Sequence, residues 1–211
     1  MRFLLLSRVG VVGLLGLLAA CGSHTVGSTT TTAATPSAAA ATVNSRPDGP
    51  SVPCTALATP LPGGSTGSGG KLPALRLDCL GGGAPIRLVD LRGPALLNLW
   101  ASWCGPCAQE AQYLVAAHQA LGDAVRFVGL DLSDDPADAR AWNSYHQVGW
   151  PSLEDPNSSV RGPLHVPGPP VTFFVRSDGT VAGVHYGAFT STDEVRAAVE
   201  KKLGPVAKGN G

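Results

Sequence analysis

The sequence predicts an α/β domain built on a mixed β-sheet, and three stretches carry that prediction. Residues 95–100, ALLNLW, form an apolar run of strand length that leads into a helical pattern, AQEAQYLVAAHQAL, closed by Gly122. Ala124–Leu130, AVRFVGL, is a second continuous apolar run, as expected for a parallel strand covered on both faces. Val171–Val175 and Val181–His185 read as two strands joined by the turn Ser177-Asp-Gly-Thr180, ahead of a last helix. Strand–helix–strand, helix, hairpin, helix is an α/β order.

Taken from the start, Arg2 and Arg8 make a weakly basic n-region, and Val9–Ala20 is an apolar run of signal-peptide length, short for a membrane span. Leu18-Ala19-Ala20-Cys21 resembles the lipobox of bacterial lipoproteins. That resemblance implies a signal peptide over 1–20, cleavage before Cys21 and a lipid on its sulfur. An ordinary signal peptide with Cys21 incidental is the alternative. On either reading the domain works outside the cytoplasm, where disulfides persist. Residues 21–52 are Thr, Ala, Ser, Pro and Gly with almost no large apolar side chain. They cannot offset their ordering entropy by burial, so they are expected to be a flexible tether reaching roughly 30 Å. The folded domain is expected over 53–205, followed by a disordered tail, 206–211.

Within the domain, Cys54 to Lys71 is turn-rich, with PLPGGSTGSGG as a surface loop. Leu72–Cys79 alternates like a short edge strand with Pro73 at its start. Gly81–Gly83 turns the chain, and Ile86, Leu88 and Val89 suggest a second strand, so a β-hairpin is laid ahead of the main sheet. After Leu130, Asp134 or Asp135 caps a helix with Pro136 at its first position, running to about Gln147 with Trp142 and Tyr145 inward. Trp150–Asp155 reads as a short strand or turn and Ser158–Gly162 as a helical turn. Ser191 or Thr192 caps the last helix, which Gly204-Pro205 ends after Leu203. Asp131 and Asp178 read as turn or cap residues, and His118, His146, His165 and His185 as structural or exposed; His24, in the tether, is assigned nothing.

Chemistry concentrates where the first long strand meets its helix. Cys104-Gly105-Pro106-Cys107 puts Cys104 at a helix N-terminus, where free N–H groups and the dipole favour a thiolate. Cys107 lies one turn on, close enough to close a disulfide, and Pro106 costs no hydrogen bond in a first turn. Haem attachment would need His at 108, which is Ala, and zinc would need further ligands at proper spacing; neither is present. A peroxiredoxin-like site would carry Thr or Ser at 101, and this chain has Ala101. With Cys21 assigned to lipid and Cys104/Cys107 to exchange, Cys54 and Cys79 remain. They flank a Gly-rich loop and most simply pair, which would stabilise by ~3 kcal/mol in the chain-entropy model; a relay exchanging with Cys104/Cys107 is the alternative. Fifteen basic residues balance fifteen acidic ones, which gives no field for nucleic acid, and no metal or cofactor is implied.

That element order with Trp103-Cys104-Gly105-Pro106-Cys107 resembles the thioredoxin fold, and specifically the membrane-anchored, extracytoplasmic thioredoxin-like proteins of the TlpA/ResA type. NLWASWCGPCAQE, VGLDL and GPPVTFFVRSDGTV are the matching motifs. An N-terminal β-hairpin extension and an insertion between the strand after the catalytic helix and the cis-Pro strand belong to that type. The resemblance implies that Cys104 attacks a substrate disulfide and Cys107 resolves the mixed disulfide. It makes Pro170 a cis-proline facing the sulfurs, with Trp103, Gly105, Pro106, Pro169 and Pro170 on the substrate-binding side. Glu110 would be an acidic residue serving Cys107, or else a solvent-facing glutamate; Trp103 would be a platform, or else cover for a core edge. Three departures stand out. Asn98 replaces a buried Asp, Gln112 replaces a proline, and Pro169 cannot donate the N–H that normally meets the bound peptide. The implied activity is a lipid-anchored thiol–disulfide oxidoreductase, reducing protein disulfides such as those of apocytochrome c and recharged by a membrane partner of the CcdA/DsbD kind. An oxidant or isomerase of secreted proteins, or a binding module with a fixed Cys104–Cys107 bridge, are the alternatives.

Overall fold

The computed structural model describes residues 52–206, so the leader, Cys21 and most of the tether and tail lie outside the described residues. In chain order the elements are β1 Arg76–Cys79, β2 Ile86–Arg87, β3 Ala95–Trp100, α1 Gly105–Leu121, β4 Arg126–Leu132 and α2 Pro136–Tyr145. They continue with β5 Ser152–Asp155, α3 Arg161–Leu164, β6 Val171–Val175, β7 Val181–Tyr186 and α4 Thr192–Leu203. One mixed sheet runs in the order β2-β1-β5-β4-β3-β6-β7. β3, β4 and β5 are mutually parallel, and β6, β7, β1 and β2 are antiparallel to their neighbours.

β3 is central because every one of its six residues is buried, which only a strand covered on both faces permits. Side chains alternate between faces, so Leu97 and Leu99 join Val128, Leu130 and Phe173 on one side. Leu57, Leu72, Leu88, Leu91, Val160 and Val166, from the segment before β1, the β2–β3 connection and the β5–β6 insertion, cover that side, with Leu164 of α3 packed against it. Leu96, Phe127 and Phe174 face the other way, onto Leu114, Ala117 and Leu121 of α1 and Val195, Val199 and Leu203 of α4.

Helix ends follow the capping chemistry. Ser191 accepts from Glu194 N–H and caps α4, while Asp135, the second of the two candidates, accepts from Ala137 N–H and caps α2. Asp178 accepts from both the N–H and the hydroxyl of Thr180 inside the β6–β7 turn, and its other oxygen takes the N–H of Gly67. Arg126 pins the N-terminal segment from outside, donating to the carbonyls of Leu57, Thr59 and Arg92.

Four sequence expectations shift. β1 starts at Arg76 rather than Leu72, whose neighbour Lys71 makes only an isolated bridge to Thr180. β2 has two residues, because Leu88–Asp90 turns into a 3-10 helix that buries Leu88. α3 covers Arg161–Leu164, later than the Ser158–Gly162 turn, since Asp155 takes the N–H groups of Ser159 and Val160 and holds that stretch as a turn. α2 ends at Tyr145, and Tyr145 is 83% exposed, not inward. The contact with Trp142 goes instead to His146, the half-buried residue that ends the helix, its ring tilted against the indole with centroids 4.2 Å apart and Tyr145 edge-on outside it.

Candidate active site

α1 begins in the redox motif itself. Cys104 has extended backbone angles and is the N-cap, and its Sγ accepts from Cys107 N–H at 3.2 Å, as a capping oxygen would. Cys104 and Cys107 form a disulfide with Cα atoms 5.3 Å apart. Cys104 is 5% and Cys107 1% exposed, while Gly105 and Pro106 are exposed beside them and Trp103 is 60% exposed. Of the two sulfur-bearing residues Cys104 is the more open, and its neighbours form an exposed rim. A core-covering role for Trp103 is therefore out.

Glu110 sits one turn after Cys107 on the same helix face, and it is not solvent-facing: it is 1% exposed. Its Oε1 accepts from Asn98 Nδ2 at 2.9 Å and its Oε2 from the Phe189 N–H at 3.0 Å. Asn98 also donates to the Thr172 hydroxyl at 3.1 Å, so β3, α1, β6 and the β7–α4 connection meet in one buried chain of polar groups. Burial pushes the Glu110 carboxyl up to about 7, against the lowering effect of the Asn98 and Phe189 donors. A carboxyl poised near neutrality beneath a dithiol can hold or release a proton at working pH. Asn98, noted in the sequence only as a departure, is the residue that orients it. Gln112 is exposed and α1 runs unbroken past it.

On the other flank, the β4–α2 connection grips the loop preceding Cys104. Asp134 accepts from the Ser102 hydroxyl at 2.7 Å and from the Ser102 N–H. Ser133 O accepts from Trp103 Nε1 at 3.0 Å. Trp100, at the end of β3, stacks on Trp142 with ring centroids 4.2 Å apart. A Cβ at Gly129 would collide with the Ser152 hydroxyl and lie 2.8 Å from the Trp100 indole nitrogen, so glycine leaves that ring its place. Asp131 corrects the sequence reading: it is no turn or cap residue but a β4 side chain, 2% exposed, facing Trp100 across the sheet register. Burial, then the adjoining Asp134, raises its carboxyl to about 8. The signal for Asp131 was a charged residue at an apolar strand's end, which sequence alone does not separate from a cap.

The Pro169–Pro170 bond is cis. Pro170 is buried and its carbonyl accepts from Gly187 N–H, whereas Pro169 is half-buried. Cys54 and Cys79 are disulfide-bonded across 25 residues, both buried, and the Cys54 sulfur lies 3.6 Å from Ser152 O. The bond closes the 25-residue stretch ahead of the main sheet and packs into the core on the β1 side. A Cys54→Ser/Cys79→Ser variant is expected to lose ~3 kcal/mol of stability in denaturant titration while keeping its exchange rate below the transition. Loss of exchange in a folded variant would restore the relay reading. Among the histidines, His118 packs half-buried against Phe127 and Trp150, His185 stacks on Phe189, and His165 is exposed.

Comparison with known proteins agrees with this geometry. Residues 68–184 match the model of the AhpC/TSA family. The thiol:disulfide interchange protein HelX of Rhodobacter capsulatus is 31% identical over 147 residues, which is 67% of this chain and 78% of that protein. The thiol:disulfide interchange protein DsbE of Escherichia coli K12 is 34% identical over 125 residues, 56% of this chain and 65% of its own length. Among solved structures, a secreted Mycobacterium tuberculosis disulfide oxidoreductase homologous to E. coli DsbE shares 28% identity. The match covers 61% of this chain and 96% of that one, with a TM-score of 0.54. DsbF of the same bacterium, solved in mixed oxidised and reduced forms, shares 26% identity over 64% and 98% of the two chains, with a TM-score of 0.56.

Proposed function

The chain belongs to the AhpC/TSA family and is a thioredoxin-like thiol–disulfide oxidoreductase, and we propose that it works as a lipid-anchored reductant of protein disulfides on the outer side of the cell membrane. The observation that carries the exchange chemistry is Glu110, a buried carboxyl near neutrality one turn beyond the resolving cysteine, where a proton must be taken up or returned. The reductive direction is supported by Gly105-Pro106 between the cysteines, which resembles reducing thioredoxins.

In that reaction the Cys104 thiolate, favoured by the helix N-terminus, attacks a substrate sulfur. A Cys104–substrate disulfide forms and the first substrate thiolate leaves. Cys107 then gives its proton to Glu110 and attacks Cys104 Sγ. The second substrate thiolate departs, and the Cys104–Cys107 bond closes. Substrate gains two electrons and two protons. Trp103, Gly105 and Pro106 form the rim the substrate meets, with Pro169 and Pro170 as the facing segment. Cys54–Cys79 is a structural bond. Cys21 carries the lipid after removal of 1–20, and 21–52 tethers the domain 53–205, with 206–211 as a tail. HelX and DsbE are thiol:disulfide interchange proteins, which supports a protein disulfide as substrate, and the resemblance to the TlpA/ResA type points to apocytochrome c Cys-x-x-Cys-His. A membrane thiol reductant of the CcdA/DsbD kind would supply the electrons.

The reduction potential of Cys104/Cys107 tests this reading. A value near about −270 mV is expected; one near about −120 mV would make the protein an oxidant and remove the cytochrome substrate with it. Substrate docking carries a second test. Pro169 offers no N–H to a bound chain, so Pro169→Thr is expected to tighten binding of a disulfide peptide by about one hydrogen bond, ~1 kcal/mol or roughly fivefold in KM. Unchanged KM would mean that the substrate backbone does not pair there.

A further inference from the structure

Asp131 and Asp134 touch, yet carboxylates only accept hydrogen bonds. Asp131 is 2% exposed, and its Oδ1, fully buried, meets no donor. Asp134 is committed elsewhere: its two oxygens take the hydroxyl and the N–H of Ser102, in the loop that leads to Trp103 and Cys104. Asp131's other charged neighbour is Glu154, its register partner on β5, and β3 presents the uncharged Trp100. A buried carboxyl in contact with a half-buried one, with a third acid nearby, is ionised only against strong repulsion; a proton held between them removes it.

We propose that Asp131 and Asp134 are a positioning pair for the exchange reaction: they share one proton, and that proton seats Asp134 so that it clasps Ser102 and sets the pose of Trp103 and Cys104. The proposal rests on Cys104 being the attacking sulfur, as argued above. Asp131 itself touches no reacting atom. With the proton present, the carboxylic acid of Asp131 donates to Asp134, and Asp134, carrying the negative charge, accepts from Ser102. When the proton is lost, two anions face each other below the loop. Asp134 is pushed off Asp131, and the Ser102 clasp and the Trp103–Ser133 bond are strained with it. The device is therefore closed at neutral and acid pH and opens in mildly alkaline solution, the range in which thiolates become more abundant and exchange would otherwise keep accelerating.

The test follows the oxidised full chain by NMR from pH 5 to 10, reading the Asp131 carboxyl carbon, the Ser102 amide and the Trp103 indole N–H. In the wild type the three signals are expected to move together, in one step far above the ordinary carboxylate range. Asp131→Asn supplies a permanent N–H donor and is expected to hold the Ser102 and Trp103 signals at their low-pH positions throughout. Exchange with a disulfide peptide is read in parallel. Above the step the wild type should fall behind Asp131→Asn by roughly threefold to tenfold, and Asp131→Ala should be slow at every pH. An Asp131 carbon that titrates in the ordinary carboxylate range overturns the proposal, as does a Ser102 step that persists in Asp131→Asn. The wild-type titration needs neither a variant nor turnover. It decides the pair even if a variant fails to fold, and it is independent of whether the chain reduces or oxidises its substrates.

Discussion

Changing Cys107 to Ser stops turnover and leaves the first chemical step running. Cys104 keeps its N-cap position and the helix-terminal field, so it still attacks a disulfide. No second sulfur lies one turn on to release the product, because the remaining cysteines of the domain, Cys54 and Cys79, are buried and bonded to each other. A stable mixed disulfide with substrate is therefore expected, visible by mass spectrometry as an adduct that dithiothreitol removes, with multiple-turnover reduction lost altogether. Cys104→Ser should form no adduct. An adduct on Cys107 in that variant would reverse the assignment of the two sulfurs, against the greater burial of Cys107.

Glu110→Gln is the second large effect. Removing a general base of suitable acidity costs about a hundredfold. Because the Glu110 carboxyl is raised to about 7, wild-type resolution of the mixed disulfide should rise with pH through that value. The Gln variant should lose that rise. Gln cannot take the proton but retains the carbonyl that Asn98 or Phe189 N–H can reach, so the fold survives. An unchanged pH profile in this variant would reduce Glu110 to a structural residue.

Stability carries the same signature with a definite sign. An acid whose folded value lies above its unfolded one binds its proton more tightly when folded. The contribution is fully present below about 4.5, Glu110's ordinary value, and is lost as pH climbs through about 7. Asp131, raised from 3.8 to about 8, adds a second loss over a wider range. The oxidised protein should thus become easier to unfold between pH 4.5 and 8, and Glu110→Gln should flatten the lower part of that slope.

By itself, the sequence determined what local chemistry can specify. Apolar runs of strand length fix β3 and β4, since six consecutive residues of each are hidden, as only a strand covered on both faces allows. Ser191, Asp135 and Gly122 mark helix ends through single caps. Cys-Gly-Pro-Cys at a helix start declares the exchange chemistry, because the motif carries its own field and its own partner. Pairing Cys54 with Cys79 was reachable by counting cysteines.

Tertiary structure decided everything that depends on which side chains meet across the sheet. Register placed Asn98 beside Thr172 on β6 and under Glu110 of α1, and so turned an apparent loss of a buried acid into the orientation of another. The same register buried Asp131 and set it against Asp134, a pairing invisible in a string where both look like solvent-facing turn residues. Tyr145 went the opposite way, outward, because His146 took the contact with Trp142. In each case the burial of a polar or aromatic group was settled by neighbours far away in the chain, and desolvation by those neighbours is what moves a carboxyl from its ordinary acidity into the working range of the reaction.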